Sequence, residues 1–282
     1  MKQWLRRSLF LACVLLLAAF TTMACGDDGE EEEGGTTPGA GAAVPELEDG
    51  TLQILSDIAY APMEYYEAGT NEATGFDVDL ADALGKKLGV EVEFINTGFD
   101  GIIAALQGED GDVIMSSMTI TPDREAEIAF IPYADVGTGI LVKSGNPEDI
   151  AKLEDLCGLT VAAQEGTIQQ DMLDDLNADA CSDNKIDVVT FDQNPLAVEE
   201  LRVGGADAVL ADFPVALNDA NQSDGELEVV GEQFDAAPYG IGLRKESAEL
   251  KSALEDALQA LMDDGTYDSV LKDWGLESAS LE

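Results

Sequence analysis

Residues 106–117 read LQGEDGDVIMSS, and residues 201–212 read LRVGGADAVLAD. Each stretch runs from a helix end through a glycine turn and an Asp to a short apolar run, then to polar residues. Apolar runs this short, bounded by glycine, read as buried strands. In open α/β sheets, ligands bind beyond the carboxyl ends of such strands. The repeat therefore predicts two similar α/β halves, with Ser116-Ser117 of one and Asp212 of the other opening on a shared cleft. The competing reading is that all βαβ units look somewhat alike.

Outward from these stretches, strand-like and helix-like segments alternate. Leu52–Leu55 reads as a short strand, and Asp77–Leu88 has helical spacing with Gly89 as a stop. Val92–Ile95 is a strand, Gly101–Gln107 a short helix closed by Gly108, and Val113–Met115 a buried strand. The pattern restarts with a strand at Thr160–Ala163 and a helix opened by Gly166-Thr167 that runs to Leu176. A strand at Val188–Phe191, a helix at Leu196–Val203 and a strand at Ala208–Leu210 follow. Ala248–Met262 is a long amphipathic helix, and Gly265–Trp274 adds one more. Alternation of this kind predicts an α/β protein with a mainly parallel sheet flanked by helices.

The first residues read as a targeting segment. Lys2, Arg6 and Arg7 precede an unbroken apolar run, Leu9–Phe20, too short to span a bilayer comfortably. A signal peptide over 1–24 is expected, with Cys25 as a lipidation site; an ordinary cleavage site with a chance Cys is the alternative. Residues 25–46 hold Gly, Glu, Asp, Thr, Pro and Ala with almost no large apolar residue, so they predict an acidic, disordered spacer.

The 282 residues carry 14 Lys+Arg against 58 Asp+Glu, a formal net charge of −44. Phosphate backbones are repelled by such a surface, so nucleic acid is excluded as a partner. The charge resembles that of a surface kept soluble at high salt, where self-repulsion is screened. The chain has no His, which removes Ser-His-Asp and Cys-His nucleophile systems and any His-based metal site. No cofactor and no metal is expected. Cys157 and Cys181 remain as an even pair in an exported chain, so a disulfide is expected; two unpaired buried thiols are the alternative.

After residue 24 the chain has three Arg. Arg202 lies in an acidic helix and Arg244 beside Lys245, so both read as surface charges. Arg124 differs, because it follows the hydroxyl-rich Ser116-Ser117-Met118-Thr119-Ile120-Thr121-Pro122-Asp123. Pro122 suits the first turn of a short helix capped by Thr121, which can aim the guanidinium back at the loop. A guanidinium among hydroxyls and N–H groups suits bidentate capture of a carboxylate. A salt bridge to Asp123 or Glu127 is the competing reading. Gly166-Thr167 precedes a helix whose N-terminal N–H groups can take the other side of that carboxylate. Asp212 sits at a strand end, where it can pair with an ammonium. Asp57 and Tyr60 follow the first strand, and Tyr60 with Phe99 can sandwich a side chain.

Asp57-x-x-Tyr60-x-Pro62, Gly75-Phe76-Asp77-Val78-Asp79, Ser117 through Arg124, Gln164-x-Gly166-Thr167, Ala206 through Asp212 and Lys272-x-Trp274-Gly275 together resemble the polar-amino-acid-binding proteins of ABC importers. The resemblance spans Leu52–Gly275. It implies a two-lobed periplasmic-binding-protein fold joined by a two-crossing hinge, with lobe 1 at 47–137 plus 241–282 and lobe 2 at 138–240. It implies that Arg124 holds the ligand α-carboxylate with Ser117, Thr119 and the Thr167-Ile168 backbone, that Met118 is among the ligand-binding positions, and that Asp212 holds the α-ammonium. Asp57, Tyr60, Phe99 and Gln164 then shape the side-chain pocket. Ile168 departs from the family pattern, since a small or hydroxyl residue is common there.

The function so implied is extracytoplasmic capture of a polar amino acid by a monomer, tethered to the outer face of the membrane or in the periplasm, that delivers to an ABC permease. A same-fold enzyme of the cyclohexadienyl dehydratase kind needs a general acid, for which Asp57 is the one obvious spare carboxylate, with no sign of a shifted environment. The sensing part of a signalling system is the third reading.

Overall fold

Short apolar runs separated by amphipathic helices leave the backbone one economical solution, a sheet covered by helices on both faces. A computed structural model describes residues 44–281. The expected signal segment, Cys25 and all but the end of the expected spacer lie outside the described residues. The strands are β1 (Thr51–Ser56), β2 (Ala59–Tyr60), β3 (Glu64–Tyr66), β4 (Ala73–Thr74), β5 (Glu91–Asn96), β6 (Val113–Ile114), β7 (Ala129–Lys143), β8 (Thr160–Gln164), β9 (Asp187–Phe191), β10 (Ala208–Asp212) and β11 (Leu227–Leu243). The helices are α1 (Phe76–Leu88), α2 (Ile102–Gln107), α3 (Pro122–Glu127), α4 (Ile168–Ala178), α5 (Asn194–Val203), α6 (Phe213–Gln222), α7 (Ala248–Asp263) and α8 (Thr266–Asp273).

One sheet runs β5-β1-β6-β11-β7-β10-β8-β9. Its two ends are copies in topology. In one, β1 pairs in parallel with β5 and β6, and β11 closes the β6 side antiparallel. In the other, β8 pairs in parallel with β9 and β10, and β7 closes the β10 side antiparallel. The two stretches that opened the sequence reading thus become equivalent strands, β6 and β10. Both faces are covered. In the second half Ile140, Val142, Val161, Ala208 and Leu210 pack one way with Leu173 of α4. Leu141, Ala162 and Val209 pack the other way with Ala197 and Leu201 of α5 and Ala216 of α6. That is the period-two alternation of a sheet buried on both sides. The first half does the same, with Leu52, Ile54 and Val113 toward α1 and α7, and Leu55 and Ile114 toward α2.

The halves are joined by β7 and β11, which pair with each other along most of their length. Their register is irregular between Val230 and Phe234 and again between Phe234 and Ala237. These strands are too long and too rich in Gly and Pro to be read as strands from sequence. Helix α6 and the small antiparallel sheet β2-β3-β4 also escaped the sequence reading. Strands of two and three residues are shorter than any periodicity can register.

Gly75 ties the small sheet to α1. Its φ is 133°, and a Cβ there would lie 2.0 Å from the Met63 carbonyl oxygen. The close approach lets Phe76 and Asp77 donate N–H groups to the Pro62 and Met63 carbonyls. Cys157 and Cys181 are joined by a disulfide that closes the chain just beyond α4. Arg202 is an exposed charge, 3.7 Å from Glu226. Arg244 is not: it is half-buried and donates to the Leu106 and Gly111 carbonyls. The surface reading is corrected there, because the guanidinium is drawn in to span a carbonyl at the end of α2 and one in the turn that follows it. Among the described residues no helix is long and apolar enough to cross a membrane.

Candidate functional site

The carboxyl ends of β1, β6, β8 and β10 converge on one narrow cavity, with about 300 Å³ between its lining atoms once the part open to solvent is counted. Its walls include Asp57, Tyr60, Phe99, Ser117, Thr119 and Arg124 from the first half. Gln164, Thr167, Ile168 and Asp212 come from the second. Ten of the eleven sequence candidates are therefore brought together. Met118 is the exception. Its side chain is buried with Leu55, Ile102, Leu106 and Ile128 in the core. Along extended chain, successive side chains alternate in direction, so Ser117 and Thr119 face the cavity and Met118 faces away.

Arg124 is delivered by α3. Thr121 caps that helix, its hydroxyl accepting the Arg124 backbone N–H at 3.3 Å. The guanidinium then turns back, donating to the Thr119 carbonyl at 2.7 Å and to the Gly166 carbonyl of the other half at 3.0 Å. It lies 5.5 Å from the centre of the Phe99 ring, a cation–π contact. It makes no ion pair; the described pairs all involve other residues, so the Asp123 and Glu127 alternative is discarded. Burial lowers its pKa, opposed by Asp171 and Asp212.

Asp212 ends β10. It takes a hydrogen bond from the Tyr60 hydroxyl at 2.9 Å and another from Gln169 Nε2 at 2.8 Å. Its own N–H donates to the Tyr60 oxygen at 3.1 Å. Burial raises its pKa, and the surrounding donors oppose that rise. It too has no ion-pair partner among the described residues. Tyr60 thus reaches across the cleft by its hydroxyl, while the Phe99 face carries Arg124. A second crossing links Asp57 to Gln164 Nε2 at 2.5 Å and to Gln193 Nε2 at 3.2 Å. Burial raises the Asp57 pKa, which corrects the expectation of an unshifted environment.

Thr167 is the N-cap of α4, accepting from Gln170 N and donating to the Gln164 carbonyl at 2.7 Å. The first N–H groups of α4 have no acceptor within the helix and border the cavity. Gly166, with φ 77°, packs against Asp100 of the other half; a Cβ would approach the Asp100 Cα at 3.0 Å.

Two wall residues were missed. Gln169 follows Ile168 in the first turn of α4 and fixes Asp212; its place beside a helix cap was the available signal. Glu64 had none, being one acid among 58. It is fully buried and accepts from both the Ser116 and Ser117 hydroxyls, at 2.9 and 3.1 Å. Beside it, fully buried Asp77 accepts the Ser117 N–H at 2.9 Å and the Tyr133 hydroxyl. Burial raises both carboxyls, Glu64 well above the usual range and Asp77 to about 7. The Ser117 hydroxyl, committed as a donor to Glu64, is not free to donate to a ligand carboxylate as expected; it faces the cavity as an acceptor. Among the described residues no cluster of His, Cys, Asp and Glu is suited to hold a metal ion.

An α/β fold of two topologically equal halves, with a polar cavity between facing strand ends, is the architecture of a solute-binding protein. The chain belongs to the bacterial extracellular solute-binding proteins, family 3, whose model matches residues 52–277. It is 33% identical over 228 residues to the L-cystine-binding protein TcyJ of Escherichia coli K12, covering 80% of this chain and 83% of that one. An ancestral arginine-binding protein bound to arginine superposes with a TM-score of 0.75 at 39% identity, over 80% of this chain and 98% of that chain. An ancestral amino acid-binding protein described as a precursor of cyclohexadienyl dehydratase gives 0.73 at 38% identity, over 81% and 96%.

Proposed function

We propose that this protein captures a free amino acid with a cationic or amide side chain and delivers it to the permease of an ABC importer. One observation carries the reading: Arg124 and Asp212, on opposite halves, border a single cavity, and neither is neutralised by an ion pair. An uncompensated guanidinium opposite an uncompensated carboxylate is the electrostatic mould of a zwitterion. The α-carboxylate sits on Arg124 and the α4 N-terminus, and the α-ammonium on Asp212 with the Ser117 oxygen. The side chain then runs between Tyr60 and Phe99 toward Asp57 and Gln164. The cystine- and arginine-binding relatives agree with a polar ligand of this length.

The moving bodies are 47–137 plus 241–282 and 138–240, swinging about the irregular β7–β11 crossing. Contacts to both halves exist together only when the cleft is shut, so ligand favours closure. A micromolar dissociation constant corresponds to about −8 kcal/mol, within reach of two charge-assisted contacts and an apolar clamp. Delivery implies a monomer outside the cytoplasm, held at the membrane through Cys25.

The dehydratase reading is weaker, although Glu64 supplies a second carboxyl at the wall beside Asp57. Both Glu64 oxygens are engaged by the Ser116 and Ser117 hydroxyls, so its carboxyl is committed to the loop. Titration calorimetry with the twenty amino acids, at low and high salt, tests the binding reading. Micromolar binding of at least one cationic or amide amino acid, lost in Asp212→Asn, is expected; turnover of prephenate or arogenate with no amino-acid binding would refute it.

A further inference from the structure

Glu64 and Asp77 are the most secluded acids of the site. Both are fully shielded from solvent, and Ser117 touches both, with its hydroxyl on Glu64 and its N–H on Asp77. Every group facing them is neutral or anionic. Asp57 lies beyond the β1 end, Tyr60 on β2, Tyr133 on β7, and Ser116-Ser117 after β6. Two adjacent carboxylates with no cation cannot both ionise in a dry site, so one proton is retained between them. Asp77 takes the Ser117 N–H, a donor that cannot turn away, and the Tyr133 hydroxyl, which favours the charge there and leaves the proton with Glu64.

We propose that Glu64 is a positioning residue for the binding cleft: as the protonated member of this carboxyl pair, it orients the Ser116 and Ser117 hydroxyls and makes the Ser117 oxygen an acceptor for the ligand's ammonium. The chain of bonds is continuous. Glu64 accepts both serine protons, Ser117 joins it to Asp77 through its own N–H, and the Ser116 oxygen in turn accepts the Asp57 N–H at 3.0 Å. Ser117 is held at φ 49°, a left-handed conformation that a non-glycine residue keeps only when its surroundings enforce it. The buried pair enforces it from both ends of the residue. Loss of the proton puts a second anion beneath the loop and pushes Ser117 off its seat. This role rests on the amino-acid reading above, because the ammonium is the group that Ser117 meets.

Two measurements test it. The first is the infrared difference spectrum of wild type minus Glu64→Gln at pH 6, with no ligand added. A carbonyl stretch of a protonated carboxylic acid is expected in wild type and absent from the variant; no such band overturns the shared proton. The second is calorimetric titration with L-arginine from pH 6 to 8.5. Wild-type affinity is expected to fall toward the alkaline end of this range, as the pair gives up the proton that burial holds on it. Glu64→Gln keeps one acceptor oxygen, but its amide nitrogen cannot accept the second serine proton, so it should bind about threefold to tenfold more weakly at pH 6 and show a flat profile. Glu64→Ala, its fold checked by circular dichroism, should lose about tenfold or more, because two buried hydroxyls lose their acceptor. Parallel wild-type and Glu64→Gln profiles, or unchanged binding in Glu64→Ala, would overturn the positioning role. Silence of the wild type toward all twenty amino acids would overturn the ligand reading, and the role with it, even if the infrared band is present.

Discussion

Replacing Arg124 by Lys keeps the charge and removes the geometry, which separates the two contributions to anion capture. Guanidinium offers five N–H donors in a planar fork. Two are spent on the Thr119 and Gly166 carbonyls, at 2.7 and 3.0 Å. Three remain for a ligand, and the Phe99 ring at 5.5 Å holds the plane in place. An ammonium has three donors on a single atom, so it cannot satisfy both carbonyls and also present a parallel pair to a carboxylate. At least one charge-assisted bond is lost, worth about 1.5–3 kcal/mol, or about 10- to 150-fold in Kd. Arg124→Ala loses both, about 3–6 kcal/mol, which takes a micromolar site to between about 0.15 and 20 mM. Calorimetry with the best-binding amino acid measures both variants, and circular dichroism checks that each is folded. High salt should be used as well, since screening weakens long-range attraction but leaves short bidentate contacts. Binding by Arg124→Lys within about threefold of wild type would refute the fork argument.

Three further outcomes are expected. Gly75→Ala should cost about 3 kcal/mol or more, because φ 133° is strained for Ala and its Cβ would overlap the Met63 carbonyl; urea unfolding measures it. Removing the disulfide by Cys157→Ala with Cys181→Ala, which opens a loop with a sequence separation of 24, should cost about 3 kcal/mol by the same assay. Burial raises Asp219 to about 6 against the donated bond from Asn194. A carboxyl raised on folding contributes stability below its unfolded pKa and loses it as pH climbs through the folded value. Unfolding free energy should therefore decline between about pH 4 and 6 from this group, and Asp219→Asn should flatten that decline.

The helices and short strands of each half were legible because each is a local pattern with punctuation. Asp77–Leu88 was expected as a helix and is found as Phe76–Leu88, ended by Gly89 at φ 75°. Thr121 and Thr167 were legible as caps because an N-cap needs only its own next three residues. Met118 was misassigned although the alternation Ser-Met-Thr was in plain view. Arg244 looked like surface because its partners, the carbonyls of 106 and 111, lie more than 130 positions away in the chain.

Composition, the repeated Gly-to-Asp-to-strand pattern and the family motifs by themselves determined the α/β class, the doubling into halves and most of the cavity's residue types. Only the tertiary structure decided which hydroxyls donate and which accept, and which acids are charged. Tyr60 meets Asp212 across 152 residues, and Ser117 meets Glu64 across 53. Hydrogen-bond polarity and ionisation are set by what surrounds a group in space. For a buried group those neighbours come from distant chain, and no local pattern encodes their direction.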